Sequence, residues 1–376
     1  MILTSCAACA APLPHLAKQC SRCKTRYCGP ACQAQHWEEG GHAKLCKNIR
    51  KGGGAEQYYA KNKYSEAIAV AVEKCAADTN GQTCYICTEV AHWKTQESLV
   101  RGCACRGTAG FAHVSCLAEQ AKILVAEAEE DNLSNKMNER FNRWHTCGLC
   151  KQGYHGVVSC ALGWACWKTY VGRPEEDPFR RVAMTTLGNG LADASQHEDA
   201  MSVYKADLSM ERILGTSGSG DRLLAVKANL ANVYESLGLF EDVMRLRQAV
   251  NSGRVKLNGE ENKSTLIGAL NYAASLLKAQ RFEEAKSVLR KTIPVTRRVF
   301  GENAEVTLKM RSCYAQTLFR NGSATVDDLR VAVTTLEDTD RTARRVFGCA
   351  NPIVVQLEQN LRESRAFLRA REASSA

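Results

Sequence analysis

Residues 259–266 are Gly259-Glu260-Glu261-Asn262-Lys263-Ser264-Thr265-Leu266, and residues 301–308 are Gly301-Glu302-Asn303-Ala304-Glu305-Val306-Thr307-Leu308. These two stretches lie 42 residues apart, and Ala231, Ala273 and Ala315 keep the same period. A period of this size is typical of stacked helix pairs. Because one helix pair cannot bury its apolar face alone, the pattern predicts an array of neighbouring α-helices.

The repeat resembles the tetratricopeptide repeats of the kinesin light chain kind, over about residues 184–365. The stretch 298–301 recurs at 345–348, a longer spacing that predicts a short insertion near 321–328. An unrelated helical bundle is the alternative. One repeat helix carries a basic cluster, which predicts either an acidic partner or a solvated face: Arg290, Lys291, Arg297 and Arg298.

Cysteine is concentrated in the first part of the chain. Fifteen of the 19 cysteines fall at or before position 150, mostly in short pairs with a histidine nearby. The first residues, up to Pro14, have no basic start and no long apolar stretch, so we expect no secretion signal and a cytoplasmic or nuclear protein. Because the cytosol keeps thiols reduced, metal binding explains these pairs better than disulfides do.

Composition excludes several classes of function. Apolar residues make up 45% and charged residues 24% of the 376 positions, as in an ordinary globular protein of two or three domains. No apolar run reaches the roughly 18 residues that cross a bilayer, so no membrane partner is expected. A net charge of +10 permits an acidic partner but does not require nucleic acid.

The first cysteine block has the spacing of two metal sites. It contains eight candidate ligands: Cys6, Cys9, Cys20, Cys23, Cys28, Cys32, His42 and Cys46. Zinc prefers four Cys or His ligands in a tetrahedron, so eight ligands predict two zinc ions. A segment of roughly 40 residues is too short for a sufficient apolar core, and the metal must therefore supply folding energy.

The Cys32-Gln33-Ala34-Gln35-His36-Trp37 run, together with this spacing, resembles the MYND zinc finger. The resemblance implies that Cys6, Cys9, Cys28 and Cys32 bind one zinc, and that Cys20, Cys23, His42 and Cys46 bind the other. It also implies binding of short proline-containing peptides, with Gln33 and Trp37 as contacts. The alternative is that Trp37 only covers the zinc module.

The second cysteine block again has eight candidate ligands in four pairs. They are Cys84, Cys87, Cys103, Cys105, His113, Cys116, Cys147 and Cys150. This order of four Cys, one His and three Cys occurs in RING-CH and in PHD fingers. The seven residues between Cys105 and His113, and the long gap before Cys147, favour RING-CH, which this block resembles.

The RING-CH resemblance implies two further zinc ions, so we expect four in all. Cys84, Cys87, His113 and Cys116 would bind one, and Cys103, Cys105, Cys147 and Cys150 the other. Such fingers typically act as ubiquitin ligases by docking a ubiquitin-conjugating enzyme, which is catalysis by positioning. Ile86 is the candidate docking residue, or else a packing residue of the finger. The chain departs from the family in lacking a tryptophan soon after Cys116 and a proline before Cys103.

We therefore predict a mainly α protein with two cross-braced zinc fingers followed by a tetratricopeptide-like solenoid. The predicted divisions are a first finger at 1–50, a helical linker at 51–83, a second finger at 84–156 and repeats at 157–376. Residues 55–76 and 117–142 are predicted to be helical. The predicted function is a zinc-binding protein-interaction scaffold and ubiquitin ligase, in which the second finger docks a ubiquitin-conjugating enzyme while the first finger and the repeats recruit partners. The alternatives are a non-enzymatic adaptor that binds peptides through both fingers and the repeats and, more weakly, a nucleic-acid binder, for which no groove-reading finger is present.

Overall fold

The structure is a computed structural model that describes residues 5–11, 13, 17–214, 220–349 and 351–375. The chain forms two compact units, Met1–Gly218 and Ser219–Ala376. Both fingers lie in the first unit. The glycine-rich stretch 215–219 lies outside the described residues. Among the described helices, none combines the length and apolar character needed to span a membrane.

Helices dominate both units. The described residues of the first unit form two strands and eight α-helices: β1 (Lys18–Gln19), β2 (Arg26–Tyr27), α1 (Pro30–Glu38), α2 (His42–Lys51), α3 (Ala55–Thr79), α4 (Val114–Glu130), α5 (Ser134–Phe141), α6 (Gly156–Tyr170), α7 (Pro178–Asp193) and α8 (His197–Leu214). The second contains α9 (Gly220–Ser236), α10 (Phe240–Asn258), α11 (Lys263–Lys278), α12 (Phe282–Phe300), α13 (Glu305–Phe319), α14 (Val326–Phe347) and α15 (Pro352–Ser375). The predicted helices at 55–76 and 117–142 correspond to α3 and to α4 with α5.

The first finger contains more helix than its sequence indicates. A short antiparallel pair, in which Lys18 lies opposite Tyr27, precedes α1 and α2. The sequence has almost no apolar helical periodicity here, because the inward face of α2 is formed largely by metal-ligating residues. His42 and Cys46 are four residues apart, so they lie on one face of α2, and both are buried.

A helix buried on nearly all sides lies at the centre of the first unit. Eleven of the 15 residues of α6 are buried, among them Trp164, Trp167 and Tyr170, which form core and not a ligand box. Helices that are apolar all round belong in a protein interior. The helices packed around α6 are α3, α4 and α7.

Two glycines allow α6 and α7 to approach closely. A Cβ on Gly190 of α7 would lie 2.5 Å from the backbone oxygen of Ser159, and a Cβ on Gly163 of α6 would lie 3.1 Å from the Cα of Leu187. Any larger side chain at Gly190 would therefore push the helix backbones apart. This close packing fixes the α6–α7 connection, which contacts elements of both fingers.

The second unit is an array of antiparallel helix pairs. α10 and α12 are both 19 residues long and begin 42 residues apart. Each ends at a glycine with positive φ, Gly259 at 78° and Gly301 at 94°. Buried Leu266, Ala269, Ala273, Leu289 and Met310 form a core shared by adjacent pairs. The predicted repeat architecture is therefore confirmed.

The insertion predicted near 321–328 enlarges the last pair. Residues 320–325 connect α13 to α14, whereas only 279–281 connect α11 to α12, and α14 has 22 residues where α12 has 19. Thr325 begins α14 with a capping box, in which its side chain and that of Asp328 each bond the other residue's backbone N–H. The extra residues thus lengthen both the loop and the following helix.

The basic cluster on α12 is occupied by partners within the unit. Lys291 pairs with Glu260, Arg297 with Glu302 and Arg298 with Glu261, while Arg290 donates to the Tyr314 hydroxyl. These pairs are exposed, and exposed pairs contribute little to stability. The arrangement favours a solvated face over a surface reserved for an acidic partner.

Candidate metal centres

The sixteen candidate ligands form four clusters, grouped as the two family resemblances imply. Within each cluster the four ligand atoms all lie within 4.8 Å of one another. The clusters are Cys6, Cys9, Cys28 and Cys32; Cys20, Cys23, His42 and Cys46; Cys84, Cys87, His113 and Cys116; and Cys103, Cys105, Cys147 and Cys150. In each finger the first and third ligand pairs form one cluster and the second and fourth the other, which is a cross-brace.

The first cluster is the more exposed one of the MYND-like segment. Cys9 and Cys28 are exposed, and their sulfurs lie 3.4 Å apart. Cys32, on α1, lies 3.8 Å from Cys9. Its position depends on where α1 begins, because Pro30 starts this helix directly after Gly29.

The second cluster is fully buried beneath aromatic side chains. The Nε2 atom of His42 lies 3.4 Å from the Cys23 sulfur, and the Cys20 and Cys46 sulfurs lie 3.9 Å apart. The rings of Tyr27, His36 and Trp37 surround His42 at centroid distances of 6.0, 5.1 and 5.7 Å. Burial lowers the pKa of His42, which favours the neutral imidazole that a metal requires.

His36 is not part of a cluster in the described structure. Its Nδ1 atom lies 3.0 Å from the Tyr27 hydroxyl, so it packs beside the second cluster.

The third cluster is held at the start of α4. His113 immediately precedes the helix and Cys116 lies in its first turn. The Nδ1 atom of His113 lies 3.3 Å from the Cys87 sulfur and 3.5 Å from that of Cys116. Its other ring nitrogen, Nε2, lies 3.3 Å from the Val90 carbonyl oxygen. A carbonyl at this position is the usual partner of a metal-ligating histidine and selects the tautomer that leaves Nδ1 free for metal.

The fourth cluster requires a glycine beside it. Gly110 has φ +85°, and a Cβ there would lie 2.6 Å from the Cβ of Cys105. The sulfurs of Cys105 and Cys147 are 3.8 Å apart. Cys150 lies next to the backbone N–H of Gln152, which lowers the pKa of its thiol to about 7.

Backbone N–H groups in the Cys-x2-Cys turns favour thiolates. The N–H of Ile86 donates to the Cys84 sulfur and that of Leu149 to the Cys147 sulfur, both at 3.4 Å. Burial raises the pKa of Cys6, but backbone N–H groups near Cys9 and Cys28 outweigh it and bring this pKa to about 6. Because the thiolate is the form that binds metal, these turns are prepared for it.

The distances within the clusters fit tetrahedral zinc. Zinc–sulfur bonds of about 2.3 Å and zinc–nitrogen bonds of about 2.0–2.1 Å place sulfurs about 3.8 Å apart and sulfur and nitrogen about 3.6 Å apart. The sulfur–sulfur distances are 3.4, 3.8, 3.9 and 3.8 Å, and the sulfur–nitrogen distances are 3.4, 3.3 and 3.5 Å. These contacts are therefore edges of ligand tetrahedra, not thiol hydrogen bonds. Four protein ligands at each site are typical of structural zinc.

The predicted partner contacts lie at the edges of the fingers. Gln33 is half-buried on α1, and Trp37 is 38% exposed while its ring contacts His42. Trp37 thus covers the zinc module and also presents apolar surface. Ile86 is half-buried in the Cys84–Cys87 turn. The sequence analysis missed Leu149, which is 49% exposed at the equivalent position of the Cys147–Cys150 turn.

Trp144 does not replace the tryptophan missing after Cys116. It is 1% exposed and packs edge-on against Tyr170 of α6 at 5.9 Å. The long segment between Cys116 and Cys147 forms α4 and α5, which carry Trp144 into the core of the first unit. This residue therefore contributes to folding and not to a docking surface.

Comparison with known proteins agrees with this geometry. Residues 6–46 match the model of the MYND finger, and residues 84–150 match that of the RING-variant domain. The chain carries a MYND finger and a RING-variant finger. No curated protein matches it.

Two solved structures are similar to the helical part of the chain. BtubC (BKLC) from P. vanneervenii is 15% identical, with a TM-score of 0.44, and the match covers 69% of this chain and 87% of that one. A putative kinesin light chain from Podosopora anserina with nearly identical TPR-like repeats is 16% identical, with a TM-score of 0.41 and coverages of 62% and 97%. Two zinc-binding modules combined with helical repeats make the chain a protein-interaction scaffold.

Proposed function

We propose that the RING-variant finger of this scaffold is a ubiquitin ligase module. The observation that carries the proposal is the pair Ile86 and Leu149. Each is the third residue of a Cys-x2-Cys turn, and each donates its N–H to the first cysteine of that turn. An apolar side chain held on a zinc-binding turn is rigidly placed, which suits it to contact a protein partner.

Arg143 lies close to both turns. Its guanidinium packs directly over Gly148, next to Leu149, and donates to the Gln120 side chain of α4 at 2.9 Å. Burial raises the pKa of Tyr85, next to Ile86, and the positive charge of Arg143 opposes that shift. One side chain thus contacts or lies close to both turns and α4.

The role of the finger is to hold a partner, not to react. A ubiquitin-conjugating enzyme docked on Ile86 and Leu149 would be held with its bound ubiquitin in a reactive pose, so the rate gain comes from orientation. The closed zinc sites agree with this role, since four protein ligands leave no coordination position for a substrate. Under this proposal the MYND finger and the repeats recruit the protein to be modified.

A second candidate function is a non-enzymatic adaptor. The half-exposed indole of Trp37, beside Gln33 on α1, favours this interpretation, because it offers a flat apolar contact for a peptide. In that case the MYND finger would bind short proline-containing peptides whether or not the RING-variant finger docks a conjugating enzyme.

A self-ubiquitination assay with the zinc-loaded chain and a panel of conjugating enzymes tests the proposal. We expect ubiquitin chains that fall about tenfold in each of Ile86→Ala and Leu149→Ala, since truncating an interface hot spot costs more than about 1 kcal/mol. Cys103→Ser, which removes a ligand, should abolish the activity. Val70→Ala on α3 is the matched control, because Val70 is apolar and 42% exposed, close to the 49% of Leu149.

The outcomes separate the two functions. Loss of activity in both turn variants, with zinc content and the control unchanged, supports the ligase. If the wild-type chain with zinc bound forms no ubiquitin chains with any conjugating enzyme of the panel, the ligase is refuted and the adaptor is favoured. The next measurement would then be peptide binding by Gln33→Ala and Trp37→Ala.

A further inference from the structure

The loop after the first ligand pair of the RING-variant finger closes on itself. The His92 N–H donates to the Glu97 carbonyl at 3.0 Å, and the Gln96 N–H donates to the His92 carbonyl at 2.8 Å. Trp93, at the tip, is 72% exposed, whereas His92 and Glu97 are both buried. We call residues 92–97 the closed loop. A buried carboxylate is unfavourable unless donors surround it, so the partners of Glu97 indicate its role.

Glu97 accepts hydrogen bonds from a residue outside the closed loop. The backbone N–H of Ser115 donates to its Oε1 at 2.6 Å, and the Ser115 hydroxyl donates to its Oε2 at 2.8 Å. Inside the loop, the Thr95 hydroxyl lies 3.2 Å from the same Oε2. Two short bonds from one residue to a carboxylate are charge-assisted and strongly directional.

Ser115 lies between two ligands of the third cluster. His113 precedes α4, Ser115 is in its first turn, and Cys116 follows. The first N–H groups of a helix have no partner within it, and α4 has no side-chain cap of its own at His113. Glu97 supplies that contact from a distant part of the sequence, with a negative charge where the helix dipole favours one.

The same region also contacts the ring of His113. The Val90 carbonyl accepts from Nε2 at 3.3 Å, and the His92 ring packs edge-on against His113 at 5.4 Å. The segment 90–97 therefore contacts the imidazole and also holds the turn that carries Cys116. Both effects act on the same half of the third cluster.

We propose that Glu97 is a positioning residue for the zinc bound by Cys84, Cys87, His113 and Cys116. By holding the Ser115 N–H, it places His113 and Cys116 at ligand spacing before metal binds. Its loss leaves the four ligands in place but allows the first turn of α4 to fray, so that zinc leaves this site faster. The proposal depends on zinc binding by the finger and not on ligase activity.

Site-resolved metal exchange in the full chain tests this role. Replacing zinc by ¹¹³Cd gives separate signals for sites with four thiolate ligands and for sites with three thiolates and one imidazole, and a His113→Cys variant identifies the third cluster by moving its signal. We expect Glu97→Ala to release the metal of this site to a chelator about tenfold faster or more, the effect of losing an outer contact to a metal ligand. Glu97→Gln, whose amide oxygen still accepts the Ser115 N–H, should release the metal at a rate between those of the wild type and Glu97→Ala.

The control is Glu89→Ala, an exposed glutamate two residues after Cys87. Faster release from the third cluster alone, with the other three signals and the control unchanged, supports the proposal. Equal release from Glu97→Ala and Glu89→Ala would overturn it. So would equal loosening of all four sites, which indicates a general loss of stability. If Glu97→Ala does not fold, the same comparison between Glu97→Gln and the wild type decides the question.

Discussion

Replacing Arg180 by methionine should destabilise the first unit strongly, because this arginine is almost buried within a charge network. Its side chain is 8% exposed and donates to Glu56 of α3 at 2.9 Å. It also donates to the carbonyl oxygens of Val171 and Arg173, which follow the end of α6, the latter at 2.9 Å. Methionine keeps most of the volume but removes every one of these bonds.

The expected cost follows from burial. Removing one partner from a buried ion pair typically costs about 3–5 kcal/mol, since the other charge stays behind unpaired. Glu56 keeps a second contact, with Arg26 of the MYND finger at 3.6 Å, so the lower value of about 3 kcal/mol applies. For a unit of this size, 1 kcal/mol shifts the melting temperature by about 2–4 °C, which gives a decrease of about 6–12 °C.

Tryptophan fluorescence during thermal unfolding measures this change in one unit alone. All five tryptophans of the chain, at positions 37, 93, 144, 164 and 167, lie in the first unit. The control is Lys63→Met on α3 of the same unit, which removes a pair with Glu66 from a side chain that is 46% exposed and should change stability by no more than about 0.5 kcal/mol. If the two variants melt within a degree or two of each other, the network contributes nothing and the reasoning is refuted.

Three other predictions use the metal, the pH and the helix packing. The zinc-loaded chain should contain four zinc ions by mass spectrometry, and a chelator should expose the region before residue 150 to protease while the helical signal of the repeats remains; resistant fingers after metal removal would contradict this. Burial lowers the pKa of His36, so the unfolded chain binds more protons and the contribution of His36 to stability is lost as the pH falls below about 6.5. His36→Gln should therefore reduce the fall of the melting temperature with decreasing pH below about 6.5. An unchanged fall in the variant would argue against this role of His36. Gly190→Ala should destabilise the first unit by about 1–3 kcal/mol because its Cβ meets the Ser159 backbone. Gly322→Ala, which has open space around it, is the control and should not be destabilised. Equal melting temperatures of the two variants by circular dichroism would show that α6 and α7 can separate without loss of stability.

Short-range patterns allowed the metal centres to be predicted. A Cys-x2-Cys turn brings two sulfurs together through local backbone geometry alone, so Cys84 with Cys87 needs no knowledge of the fold. The grouping of pairs into a cross-brace came from the family resemblances, and the structure brings the same residues together. The repeat period was visible because each unit contacts only its neighbours. The division of the chain at 50, 83 and 156 stays a prediction.

Contacts between distant residues could not be predicted in this way. Arg180 and Glu56 are 124 positions apart, and Glu97 and Ser115 are 18 positions apart, so no local pattern links them. The sequence signal at Glu97 is an ordinary charged residue in a loop. Leu149 differs, because its place in a Cys-x2-Cys turn matches that of Ile86 and comparing the two turns would have found it.

The burial of α6 on nearly all sides has a consequence for how this protein could have diversified. Zinc fingers often travel between proteins as cassettes, which requires that their surfaces be complete without their neighbours. Here α3, which follows the MYND finger, and α4, which is part of the RING-variant finger, cover the apolar helix α6. A recombination event at residue 156 would leave that helix uncovered. We therefore expect the two fingers and helices α6 to α8 to be inherited as a single block, and exchange to be tolerated only beyond α8.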